Sequence, residues 1–216
     1  MKGCLYKFRK IDKHAIDILV NHRLYLSSWE LLNDPHEAVI QFIKTSLPME
    51  INFCMNPKKI KKFGIPVESP DVRVCALSET WESNLAWSHY AGGQFGISIG
   101  LQIPKKINGL EIIRVVYDDQ IPKVIGRESV DKNTVIQALS HKAREWSYEK
   151  EVRFLSFDST TKYLDNIIIN EVIFGLRCTD DDVNLVKKIL KRDSCLFFKI
   201  KRKPGSYRLD RRKIEV

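Results

Sequence analysis

Glu149 and Glu151 stand one residue apart, with Arg153 two further on and the aromatics Trp146 and Tyr148 just upstream. Residues two apart in a strand share a face, so a strand here would aim Glu149, Glu151 and Arg153 the same way. Val152, Phe154 and Phe157 mark the segment as core-bound. Charge entering such a strand predicts a cleft, in which a carboxylate pair could do acid–base or electrostatic work. Lys142 and Arg144 precede the pair on a segment of helical pattern.

Three more segments carry chemistry. Leu5-Tyr6-Lys7-Phe8-Arg9 predicts a strand with Lys7 and Arg9 on one face, suited to a phosphate or carboxylate. Asn33-Asp34-Pro35-His36-Glu37 is a turn initiator in which Asp34 can cap a helix, Pro35 opens it and Glu37 meets its dipole. Trp87-Ser88-His89-Tyr90 sets Trp87 and Tyr90 three apart on one helix face, ahead of Gly92-Gly93. Such aromatics can sandwich a planar ring or simply fill a core.

The elements that must position these residues form an α+β pattern, with a mixed or antiparallel sheet core flanked by helices. Strands are expected at 4–8, 24–26, 72–77, 95–101, 110–117, 151–157, 167–174 and 196–200. Helices are expected after Asp12, over 36–46, after Ser83 or Asn84, over 131–146 and after Thr179. The lysine-rich stretch 56–70 reads as an exposed insertion. In 95–101, large residues alternate with small ones, as in a strand with a closely packed neighbour. One domain over 1–216 is expected, with a basic C-terminal extension over about 199–216.

The chain has 36 basic and 27 acidic residues, a net charge of +9, and 44% hydrophobic residues. That suits a sizeable core and phosphate-rich partners. Five cysteines without C-x-x-C or metal-like spacing read as small hydrophobes in a reducing compartment. With no run of about 20 apolar residues and no apolar leader, a cytoplasmic protein without a membrane partner is expected. The absence of a Walker loop, G-x-G-x-x-G and H-E-x-x-H removes triphosphate hydrolysis and zinc proteolysis.

The ordered motifs resemble a family. Leu5-Tyr6-Lys7-Phe8-Arg9, then Asn33-Asp34-Pro35-x-Glu37, Trp87-Ser88-His89-Tyr90-Ala91 with Gly96-Ile97-Ser98-Ile99-Gly100, Lys142-x-x-x-Trp146-x-Tyr148-Glu149-x-Glu151-x-Arg153 and Val172-Ile173-Phe174-Gly175 are together similar to the bacterial domain-of-unknown-function 2971 family. Some of its relatives resemble the ADP-ribosyltransferase fold. That resemblance implies an enzyme using NAD, with Glu151 or Glu149 holding the ribose 2′-hydroxyl and stabilising an oxocarbenium-like centre. It implies no structural metal, and cofactor contacts from Tyr6, Lys7, Arg9, Ser78, Trp87, Tyr90 and Arg153. Such a domain fits a toxin or phage-defence role, with nucleic acid or an acidic protein as acceptor. Lys7 and Phe8-Arg9 depart from the His-Tyr-Thr strand of those relatives, leaving Arg9 for a phosphate.

Two alternatives remain. A metal-dependent nuclease would use Asp34, Glu37, Glu149 and Glu151 as magnesium ligands. A nucleic-acid-binding module would use the tail, where Lys201, Arg202, Lys203, Arg208, Arg211 and Arg212 surround Tyr207.

Overall fold

The computed structural model describes residues 4–34, 36–43, 50–54, 72–103, 107–125, 130–191 and 194–215. In chain order the strands are β1 (Leu5–Arg9), β2 (Leu24–Tyr25), β3 (Ser27–Ser28), β4 (Val39–Ile43), β5 (Glu50–Cys54), β6 (Arg73–Ser78), β7 (Ile97–Gln102) and β8 (Leu110–Arg114). They continue with β9 (Val116–Tyr117), β10 (Lys123–Ile125), β11 (His141–Lys142), β12 (Glu151–Ser156), β13 (Tyr163–Leu164), β14 (Ile168–Phe174), β15 (Leu196–Arg202) and β16 (Leu209–Lys213). The helices are α1 (Lys13–Asn21), α2 (Asn84–Tyr90), α3 (Lys132–Leu139) and α4 (Asp180–Ile189).

The main sheet has nine strands in the order β16-β15-β14-β7-β1-β6-β12-β8, with β3 also paired to β6. Neighbours run antiparallel except β14 and β15, which are parallel, so the α+β class with a mixed sheet holds. Side chains alternate across the strands and supply two faces. On one, Cys75, Leu77, Ile97, Ile99, Val152, Phe154, Val172 and Phe174 meet α1 and α4 through Ala15, Ile18, Leu19, Val183 and Val186. The other face carries two separate clusters. Val74 and Leu155 pack with Val135, Ala138 and Leu139 of α3, while Phe8, Ile173 and Ile200 pack with Ala86 and Trp87 of α2.

The helix starts follow their caps. The Asp12 side chain accepts from His14 N and Ala15 N, that of Ser83 accepts from Ala86 N, and that of Thr179 accepts from Asp182 N. Two helical expectations fail. Residues 39–43 form β4, because the run Val-Ile-Gln-Phe-Ile favours strand and finds partners on both sides, β5 and β10. The helix expected over 131–146 ends at Leu139, where the Ser140 hydroxyl donates to Gln137 O. His141–Lys142 then pair with Val116–Tyr117, and Arg144–Glu149 wind as a 3-10 turn.

The basic segment 199–216 is not appended to the fold: its described part supplies most of β15 and all of β16, two strands at one end of the sheet. The expected insertion at 56–70 lies outside the described residues.

Candidate functional site

β1 pairs with β7 along its whole length, Leu5↔Leu101 to Arg9↔Ile97, but with β6 at a single position, Tyr6↔Ser78. Beyond that pair the two strands part. The Lys7 ammonium reaches into the gap and donates to Ala76 O at 2.8 Å, satisfying a carbonyl that a continuing ladder would have used. A cavity of about 290 Å³ opens there. It is lined by Tyr6, Lys7, Arg9, Ser78, Tyr90, Lys142, Glu149 and Glu151, with Leu31, Leu32, Asn33 and Glu37 as a further wall. It lies between the two apolar clusters of that sheet face, where β6 and β12 carry Ala76, Ser78, Glu151 and Arg153.

Glu149 and Glu151 do reach the same place, though not as a strand ladder. Glu149 ends the 3-10 turn, and Lys150 adopts a left-handed backbone (φ 45°, ψ 56°) before β12 begins at Glu151. The Ser78 hydroxyl bonds to Glu149 O and so fastens the turn to the end of β6. Tyr6, Ser78 and Glu151 thereby form one row across β1, β6 and β12.

The carboxylates are embedded in a charge network. Arg153 is fully buried and grips Glu151 with two bonds of 2.9 Å, while its Nη1 reaches Glu37 at 2.6 Å and Leu139 O at 2.8 Å. Lys142 Nζ lies 2.7 Å from Glu149, 3.6 Å from Glu151 and 3.9 Å from Glu37, and caps the Trp146 ring at 4.5 Å. Tyr90 donates to Glu149 and accepts from Asn33 Nδ2. Glu151 N donates to the Tyr117 hydroxyl.

These surroundings push the two acids apart. Burial raises the Glu149 carboxyl above the usual range, with Lys142 opposing it. Burial also raises Glu151, but Arg153 foremost, then Lys142 and Lys7, outweigh it and hold that carboxyl low. Burial pushes the Lys7 ammonium down and the Tyr6 and Tyr90 hydroxyls up. Tyr6 donates to Glu171 at 3.0 Å, a carboxylate also held by Arg211 at 2.6 Å. Gly100 lies between Tyr6 and Glu171 in the register, and its lack of a side chain lets them meet.

Of the residues expected at the site, Tyr6, Lys7, Arg9, Ser78, Tyr90, Glu149 and Glu151 line the cavity. Trp87 does not. Its ring is fully buried against Phe8, 5.2 Å between centroids, and its indole N–H donates to Trp81 O. The helix turns Trp87 to the core and Tyr90 to the cavity. Arg153 holds Glu151 and Glu37 from behind and does not line the cavity wall. Arg9 Nε is buried and has no hydrogen-bond partner among the described residues.

Asp34 caps His36 N and stands apart from the cavity. Glu37, read as a helix-start acid, is instead the second acid on Arg153. The available signal was Arg153 itself, since a guanidinium inside a buried strand needs more than one partner.

No family model matches the chain, and no curated protein or solved structure matches it significantly. No helix among the described residues is long and apolar enough to cross a membrane.

Proposed function

We propose that the cavity binds NAD and that the chain is an ADP-ribosyltransferase-like enzyme. The supporting observation is the pair of carboxylates that line one cavity with Arg9 and its unsatisfied buried N–H, one carboxyl raised by burial and the other lowered by Arg153. Paired acids whose environments drive them apart divide the roles of acid–base group and fixed charge. When bound, NAD would supply an ADP-ribosyl group to an acceptor as nicotinamide leaves.

Glu151, kept ionised by Arg153, offers a fixed negative charge to positive charge developing on a ribose. Its bidentate anchoring means that little reorganisation is needed as that charge grows. Glu149, less firmly ionised and bonded to Tyr90, is the group suited to take a proton from an acceptor. Arg9 can satisfy its Nε–H on a phosphate oxygen. Ligand sites commonly span about 300–1,000 Å³, so a cavity of about 290 Å³ suits one ring-and-sugar half of the dinucleotide, with the remainder at the mouth.

The magnesium-nuclease alternative has less support. Glu37, Glu149 and Glu151 do converge, but their oxygens face Arg153 and Lys142. A thermal-shift titration with NAD and ADP-ribose, run on the native chain and on Glu151→Ala, tests binding. NAD consumption by Glu151→Gln tests chemistry: turnover should vanish while the melting transition persists. Retained turnover removes the assignment.

A further inference from the structure

The sheet carries a second concavity, at the far end of β15. It is an open groove of about 640 Å³ lined by Arg177, Lys199, Lys201, Arg202 and Arg212 together with Leu176 and Ile200. Lys199 lies directly across from Arg212 in the β15–β16 register. Like charges so opposed weaken a hairpin, and a polyanion lying across them would relieve the repulsion. Asp180 and Asp210 pair with Lys199 and Lys201, at 3.6 and 3.0 Å. Arg202 and Arg212 have no ion pair among the described residues.

The hairpin loop adds an independent observation. Ser206 N bonds to Lys203 O and Arg208 N to the Ser206 hydroxyl, while Asn84 of α2 donates to Tyr207 O at 2.8 Å. The backbone is thus tied down, yet the Tyr207 ring is 98% exposed. Lys203 and Arg208 flank it, also exposed.

We infer that the groove and Tyr207 together bind single-stranded nucleic acid. Cations two residues apart on a strand are spaced about 6.6 Å, a step an extended phosphate backbone can follow, and the exposed ring in the hairpin loop that follows Arg202 offers a face for a base. An acidic peptide would use the cations and leave the ring idle. A duplex keeps its bases stacked on one another and offers the ring nothing. This site is separate from the cavity and does not depend on the NAD reading.

The test is fluorescence anisotropy of a labelled 12-nucleotide oligothymidylate with the full chain, across a salt series. Binding should weaken with a log–log salt slope of about −2 to −3.5, as three to five phosphate contacts on a single strand give. Arg202→Glu and Arg212→Glu should each weaken binding at least tenfold at low salt. Tyr207→Ala should weaken it about tenfold without altering the slope, and this exposed substitution leaves the fold intact. Lys13→Glu, the same charge change on α1, should do little. Glu151→Gln should bind the strand as the native chain does, so a failure of the catalytic reading registers separately.

No binding at 50 mM salt overturns the inference. So does a Tyr207→Ala affinity equal to the native one, or a Lys13→Glu loss as large as that of Arg202→Glu. Competition by polyglutamate or a hairpin duplex as effective as by the single strand overturns it as well.

Discussion

Lys142 Nζ stands 2.7 Å from Glu149 and 3.6 Å from Glu151, so one ammonium serves both of these cavity carboxylates. Its side chain is 3% exposed, and water cannot replace it. Lys142→Met should therefore cost about 3–5 kcal/mol, the range for removing one partner of a buried ion pair. Glu149→Gln on the same background should recover part of that loss, because it removes a carboxylate left short of a cation. A double-mutant cycle from urea denaturation measures the coupling. Additive losses would mean that Lys142 is not coupled to Glu149 and acts through Glu151, Glu37 or its packing on Trp146.

The two acids give opposite pH signatures. Glu151 is held below its ordinary range, so its stabilising contribution is present at neutral pH and is lost as pH falls through the depressed value. Glu149 is held above its ordinary range, so unfolding releases its proton. Stability falls as pH rises from the ordinary carboxylate value through the raised one. In Glu149→Gln the second term is gone, and the urea midpoint relative to the native chain should climb as pH increases across that window. Because the acids interact, the native chain reports values of the pair. A difference independent of pH would refute the raised carboxyl.

Much of this site was legible because it rests on local rules. Two acids and an arginine at alternate positions announced a cleft, and the caps Asp12, Ser83 and Thr179 marked helix starts that hold. What was not legible depends on distant partners. Asn33-Asp34-Pro35 explains Glu37 so well locally that, although a buried Arg153 calls for a second acid, the local pattern does not single out Glu37, 116 residues away. The same local reading promised a helix where β4 forms, since strand pairing with β5 and β10 is invisible from one segment. The parting of β1 from β6 leaves no trace in composition at all.

Trp87 and Tyr90 share a helix and a motif but not a role. Trp87→Phe removes an indole N–H bond to Trp81 O and a T-shaped contact with Phe8, and should cost about 1–3 kcal/mol in denaturant unfolding. Its effect on NAD affinity should be small. Tyr90→Phe removes the donor to Glu149 and should alter binding or turnover with a smaller loss of stability. Circular dichroism melts beside ligand titrations separate the two. If Trp87→Phe abolished binding in a folded protein, the ring would have to reach the ligand after all.

Gly100 is the position at which packing and site are most tightly joined. A Cβ there would stand 2.6 Å from the Glu171 side chain and 3.2 Å from the Tyr6 ring, well inside contact distance. Glu171 cannot retreat freely, because Arg211 holds the same oxygen that Tyr6 bonds, at 2.6 Å. Gly100→Ala should therefore cost about 1–3 kcal/mol by overpacking, and its larger effect should fall on Tyr6, whose hydroxyl must leave Glu171. Tyr6 lines the cavity, so ligand affinity should fall in the same variant. Tyr6→Phe supplies the comparison, since it loses the hydrogen bond without crowding the strand. If Gly100→Ala melts like the native chain and binds as tightly, the row from β14 through β1 to the cavity is not rigid, and Tyr6 is held by something other than Glu171.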